Sequence, residues 1–243
     1  MSNKLDEKFL AALDARSLSP DERCRIQYLW SDIENIDQHV RKFDCVLRLY
    51  RYARQENHAR IDSANERRNE IAAIGCGAPE AGELLARCQT LEDESMMYRS
   101  WAHTAARDGA MTIYHLCYLM AVTWSKMALC DLLDQIQVAA NKELADNLFQ
   151  QAFPAFAAIR SALVHLVENS ATPLHYDNSL GAIDYPEPDM ARSLFFAGTL
   201  EGDTFQATYE NRIHGYDLYE DSLVALRNSI GLIRISLIRG GKP

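Results

Sequence analysis

The sequence predicts a mainly α-helical fold with a small antiparallel β-element at about residues 193–218, ahead of a last helix. Three observations predict it. Apolar residues recur at spacings of three and four through most of the chain up to Ser170. A Thr- and Tyr-bearing segment from Ser193 to Leu218 then changes to a period of two. After it, Leu223, Leu226, Ile230, Ile233 and Leu237 restore a helical stripe. The 243 residues are 48% apolar and 24% charged, which suits one domain with a sizeable core. Residues 1–75 read as an N-terminal helical portion of that domain, and residues 79–243 as the rest of it.

Asp6 to Arg16 reads as a short helix. Ser19-Pro20 supplies an N-cap and a proline at the first helical position, with Asp21 and Glu22 in the first turn. Leu29, Ile33, Ile36, Val40, Phe43, Leu47 and Tyr50 then mark an amphipathic helix to about Gln55. A separate polar helix is expected over Ile61 to Ile74, and Gly75-Cys76-Gly77-Ala78-Pro79 breaks it. Helical pattern resumes for about 55 residues from Pro79, with Gly109 marking a kink or a close helix contact. A further helix covers roughly Asn141 to Gln151. Phe153-Pro154 restarts the chain into another that ends near Ser170. Ala171 to Arg192, with Pro173, Gly181, Pro186 and Pro188, reads as a long loop. Ser193–Leu200 and Asp203–Tyr209 read as a hairpin turning at Glu201-Gly202, Arg212–Leu218 as a third strand, and about Glu220–Arg239 as the last helix.

Net charge is −9, which opposes non-specific duplex binding. The charge is uneven. From Arg41 to Arg68 there are eight Lys/Arg against four Asp/Glu, which is either a solvated helix face of mixed charge or a nucleic-acid track. Six cysteines, Cys24, Cys45, Cys76, Cys88, Cys117 and Cys130, show no C-x-x-C spacing. The first ten residues are polar and charged, and no apolar run approaches the ~18 residues of a membrane span. The expectation is a cytoplasmic protein with free thiols and no membrane association. There is no glycine-rich phosphate loop, no G-x-S-x-G elbow and no H-E-x-x-H. His175, Tyr176 and His214 lack metal-ligand spacing, so neither a metal nor another cofactor is expected. Trp101, His103 and Trp124 read as core or interface residues.

The stretch that points to chemistry is Phe156–Val167, F-A-A-I-R-S-A-L-V-H-L-V. Arg160 and His165 sit in an otherwise apolar and small-residue helix, and both are costly to bury without partners. On a wheel, Phe156, Ile159, Leu163, Leu166 and Val167 form the inner stripe and Arg160 flanks it. His165 lies about 140° from Arg160, on a second, small and nearly uncharged side with Ala157, Ala158 and Ser161. A helix with two weakly polar sides packs on both, so this side is expected to meet another helix, from this chain or from a second copy. In one reading Arg160 caps a helix or pairs with a core carboxylate and His165 is a satisfied interface histidine. In the other, Arg160 binds phosphate bidentately, His165 transfers protons and Ser161 donates a hydrogen bond. Arg107 and Asp108 form a second polar pair. Asp108 shares a face with His115, and either orients the motif residues, pairs with Arg160, or joins an ion pair that fixes helix register.

Ala105–Leu116 (A-A-R-D-G-A-M-T-I-Y-H-L), Phe153–His165 (F-P-x-F-x-x-I-R-S-A-L-V-H) and the β-element before the last helix together resemble a group of bacterial HEPN-like proteins. The resemblance runs from Ala105 to the C-terminus. It implies a helical bundle, homodimerisation, and an Arg-x4-His motif near the dimer seam, as in metal-independent ribonucleases of toxin or phage-defence type. Arg160 and His165 are the matching pair, with Ser161, Asp108 and Arg107 in support and RNA as the implied substrate. Ser161 stands where active members often carry Asn, Asp or His, so with the acidic net charge slow or substrate-restricted cleavage, or none, is expected. Two other functions fit the same helices: a non-catalytic module that dimerises or binds a protein partner, and a nucleotide or small-molecule sensor.

Overall fold

The computed structural model describes residues 19–169, 181–182, 194–195, 199–209 and 212–239. The expected helix at Asp6–Arg16 and most of the expected loop at Ala171–Arg192, His175 and Tyr176 included, lie outside the described residues. Within them the fold is mainly α. The described residues form five helices, α1 (Pro20–Ile74), α2 (Ala81–Ala128), α3 (Gln135–Ala152), α4 (Phe156–Asn169) and α5 (Glu220–Arg239), with a small three-stranded antiparallel sheet between α4 and α5 in the chain.

α1 starts where the sequence marks it. Ser19 and Glu22 form a reciprocal capping box: the Ser19 N–H donates to the Glu22 carboxylate at 2.7 Å, and the Glu22 N–H donates to the Ser19 hydroxyl at 3.3 Å. The stripe from Ile26 to Tyr50 is buried. The expected break near Gln55 does not occur, and α1 runs unbroken for 55 residues. Nothing between Gln55 and Ile61 is Gly or Pro, and an Arg60–Glu56 ion pair one turn apart supports the helix across that point. Gly75, at φ 87°, ends it.

α2 returns antiparallel to α1. Cross-helix partners run in opposite sequence order: Arg68–Glu92, Arg60–Glu94, Tyr52–Tyr98, His39–His115 and Asp32–Lys126. α3 begins six residues before the expected start at Asn141. Asp134 caps it, its carboxylate accepting from the Ile136 N–H at 3.0 Å and the Gln137 N–H at 3.3 Å. α3 packs on α5, where Asn141 donates to the Ser236 hydroxyl at 2.8 Å.

Strands β3 (Thr199–Glu201), β4 (Thr204–Tyr209) and β5 (Arg212–Asp217) pair in sequence order, with a turn at Gly202, φ 59°. A further two-residue pairing, β1 (Gly181–Ala182) with β2 (Leu194–Phe195), takes up residues expected at the start of the hairpin and one point of the expected loop. The sheet packs on α4. Its turn is pinned to α1, because the Tyr50 hydroxyl donates to Asp203 at 2.8 Å. Burial and the bond to Asp203 push the Tyr50 phenol well above its ordinary range.

Gly109 is a close contact with Val46 of α1, as one of the two options in the sequence had it, and closer still with Tyr216 of β5. A Cβ there would lie 2.5 Å from the Tyr216 hydroxyl and 3.2 Å from Val46 Cγ1. The Tyr216 hydroxyl passes over this glycine to the carbonyl of Ala106. Gly109→Ala is therefore expected to destabilise the protein by about 1–3 kcal/mol through overpacking. Gly231→Ala, with nothing within 4 Å of its Cβ position, is expected to be neutral or to stabilise by up to about 1 kcal/mol. Urea denaturation of the two variants checks both; equal midpoints would remove the steric account.

Candidate functional site

Pro154 ends α3, and Phe153 anchors the restart. Its buried ring meets Phe149 at 5.2 Å, Phe43 at 6.0 Å and Tyr216 at 6.4 Å between centroids. α4 then turns Ile159, Ala162 and Leu163 into the core. This inner stripe fixes where its polar positions go.

Arg160 comes off the flank towards α2. Its guanidinium carbon lies 4.7 Å from the centroid of the Tyr114 ring, well inside the range of a cation–π contact. The residue is half-buried, and its Nε is buried with no hydrogen-bond partner. Among the described residues no ion pair joins it to a carboxylate. Ala157 is exposed and Ser161 half-buried, so the first turns of the small-residue side face outwards. Position 165 lies on the α4 backbone about 140° around from position 160, across the sector that holds Ala157 and Ser161. The His165 side chain lies outside the described residues.

Arg107 and Asp108 are both exposed. The Asp108 carbonyl accepts from the Thr112 hydroxyl at 2.7 Å, an ordinary bond within the helix. No hydrogen bond or ion pair among the described residues brings either side chain to Arg160. Trp124 is buried and Trp101 is 42% exposed. The His103 ring packs 6.1 Å from Phe205, and His214 is half-buried in β5 opposite Ala207.

Beside Arg160 the structure places Tyr114 and His39, which the sequence did not mark for chemistry, and His115, which it marked only as sharing a face with Asp108. The Tyr114 ring lies 6.0 Å from the ring of the exposed His115, which meets His39 of α1 edge-on at 6.2 Å and 86°. His39 Nδ1 lies 2.9 Å from the Asn35 carbonyl. A carbonyl only accepts, so Nδ1 is the donor in this contact. The one available sequence signal was the aromatic position seven residues after Arg107, which puts Tyr114 on the same outward stripe of α2.

The basic stretch of α1 resolves into a mixed-charge face. Arg48 pairs with Asp44, Arg51 with Glu220, Arg54 with Asp203, Arg60 with Glu56 and Glu94, Arg67 with Glu70 and Arg68 with Glu92. Six of the eight cations are thus engaged by carboxylates and do not present an open phosphate track. Burial raises the Cys117 thiol above its usual range, so it is a poor nucleophile. Among the described residues no three His, Cys, Asp or Glu side chains cluster to hold a metal ion, and no helix is long and apolar enough to cross a membrane.

Replacing Arg160 tests how its charge is balanced. Arg160→Met is expected to cost about 1 kcal/mol or less, the size of a cation–π contact. A loss of about 3–5 kcal/mol in chemical denaturation would instead reveal a buried carboxylate left without its partner. No family model, no curated protein and no solved structure matches the chain.

Proposed function

We propose that this chain is a HEPN-like endoribonuclease of toxin or phage-defence type, which acts as a homodimer and cuts RNA with Arg160 and His165. The observation that carries the reading is the state of Arg160. Its guanidinium rests on Tyr114, its Nε lacks an acceptor, and no described carboxylate neutralises it. A cation held in place with unused donors suits a ligand that brings its own negative charge.

In the reaction, His165 removes the proton from the ribose 2′-hydroxyl. The 2′-oxygen then forms a bond to the adjacent phosphorus as the bond to the 5′-oxygen breaks. The departing 5′-oxygen takes a proton from water, and a 2′,3′-cyclic phosphate remains. Arg160 stabilises the negative charge that builds on the phosphoryl oxygens. The exposed Ala157 and half-buried Ser161 lie between positions 160 and 165 on α4. This sector is small enough for a second copy of the helix to approach closely, which supports dimerisation there.

A second reading, a protein-interaction module, is favoured by the outer face of the α1–α2 hairpin. Leu49 is 45% exposed, Tyr52 50% and Met97 40%, beside the exposed Trp101. Exposed aromatic and Met side chains are enriched at protein interfaces.

Purified protein incubated with total RNA in chelator separates the readings. Wild type is expected to cleave, and His165→Ala and Arg160→Ala are each expected to lose about 10²- to 10⁴-fold in rate while remaining folded. Absence of cleavage by wild type from pH 5 to pH 9 would favour the interaction module. Cleavage retained in both variants would assign it to a contaminant.

A further inference from the structure

Arg160 differs from many of the described arginines. Arg48, Arg51, Arg54, Arg60, Arg67, Arg68, Arg227 and Arg234 each lie against a carboxylate. Arg160 lies against a ring face instead. The distinction matters chemically. A carboxylate neutralises the cation and occupies its N–H donors, whereas a π face attracts the cation and leaves every N–H free. The Nε–H is the donor nearest the stem, and it is buried without an acceptor. Long basic side chains bury the stem and turn the charged head towards water. The half-buried state of Arg160 fits that arrangement, with an accessible outer edge and a buried inner donor.

We propose that Arg160 and Tyr114 form a binding site for a phosphate ester, in which Tyr114 is a positioning residue that fixes the plane of the guanidinium. The proposal deepens the ribonuclease reading and rests on it for biological role, although the binding itself is measured separately. Two phosphoryl oxygens match the outer edge of the guanidinium, where the two Nη groups present parallel N–H donors. The ligand supplies the negative charge that no described carboxylate provides. The ring makes the fork rigid. A free arginine side chain samples many rotamers and loses that freedom on binding, and stacking on Tyr114 removes much of the loss beforehand. Only the ring is needed for this, so the Tyr114 hydroxyl is dispensable.

The test uses the full chain labelled with ¹⁵N, and follows the Arg160 Nε–H resonance, assigned by its disappearance in Arg160→Lys. Inorganic phosphate, 3′-AMP and acetate are titrated separately. Wild type and Tyr114→Phe are expected to show the resonance moving with phosphate and 3′-AMP at matching midpoints, and far less with acetate. Tyr114→Leu, which keeps bulk but removes the π face, is expected to bind roughly tenfold more weakly, in line with a partly desolvated cation–π contact. Tyr114→Met gives the same comparison if the leucine variant fails to fold. A resonance unmoved by phosphate in wild type overturns the site. Unchanged affinity in the ring-less variants overturns the role of Tyr114, and an equal response to acetate overturns the phosphate class. RNA cleavage read on the same samples stands apart: binding as expected without cleavage overturns the ribonuclease reading and leaves the phosphate site in place.

Discussion

The passage of Tyr216 over Gly109 is the contact on which the rest of the arrangement depends. The phenol reaches the Ala106 carbonyl between the turns of α2, and only a residue without a side chain lets it through. Its ring meets Phe205 of β4 at 5.8 Å and Phe153 at 6.4 Å, and Phe153 meets Phe43 of α1. One side chain therefore joins the sheet, the start of α4 and the long hairpin. Burial pushes the Tyr216 phenol well above its ordinary range, so it stays a neutral donor. The angle at which α4 leaves Phe153 decides whether Arg160 meets Tyr114, and Tyr114 stands five residues beyond Gly109 on the same helix. The steric constraint and the candidate chemistry are consecutive stretches of α2.

Charge is handled differently in the two halves of the structure. On the hairpin, exposed Arg–carboxylate pairs contribute little each, about 0–1 kcal/mol, and their effect is to keep a basic stretch from acting as an open electrostatic track. Around Arg160 the cation meets a ring. An acidic protein that handled RNA would need such a local device, since its overall field repels polyanions.

Features carried by neighbouring residues were legible in the sequence, and features made by distant ones were not. Ser19, Pro20 and Glu22 announce the start of α1 because a capping box is complete within four residues. Gly202 announces the β3–β4 turn for the same reason. The mainly helical class and the sheet before α5 follow from periodicity, which is also local. The continuity of α1 through Gln55 was missed because a polar stretch was taken as an interruption, although only Gly or Pro would have imposed one. The Asp134 cap was missed although the N–H groups two and three residues on form it. The Arg160–Tyr114 stack joins residues on different helices, and it exists only once α4 is docked. His39 and His115 face each other for the same kind of reason, since the register of α1 against α2 sets their meeting.

The far end of the hairpin has one more consequence. From Ala53 to Ile74, α1 extends roughly 30 Å, and its buried residues there are few: Ala53, Ala64 and Ile71, with Ala81 and Cys88 the buried residues at the start of α2. Of these only Ala53 belongs to the main apolar cluster. Small side chains hold two helices close but contribute little transfer free energy. Resistance to opening should therefore fall steadily from the Tyr216 junction out to Gly75. Amide protons near the tip would exchange by separation of the two strands of helix while those beside Phe43 wait for global unfolding. The arm is thus a fraying zipper with a fixed base, and a protease that nicks its tip would leave the candidate site standing.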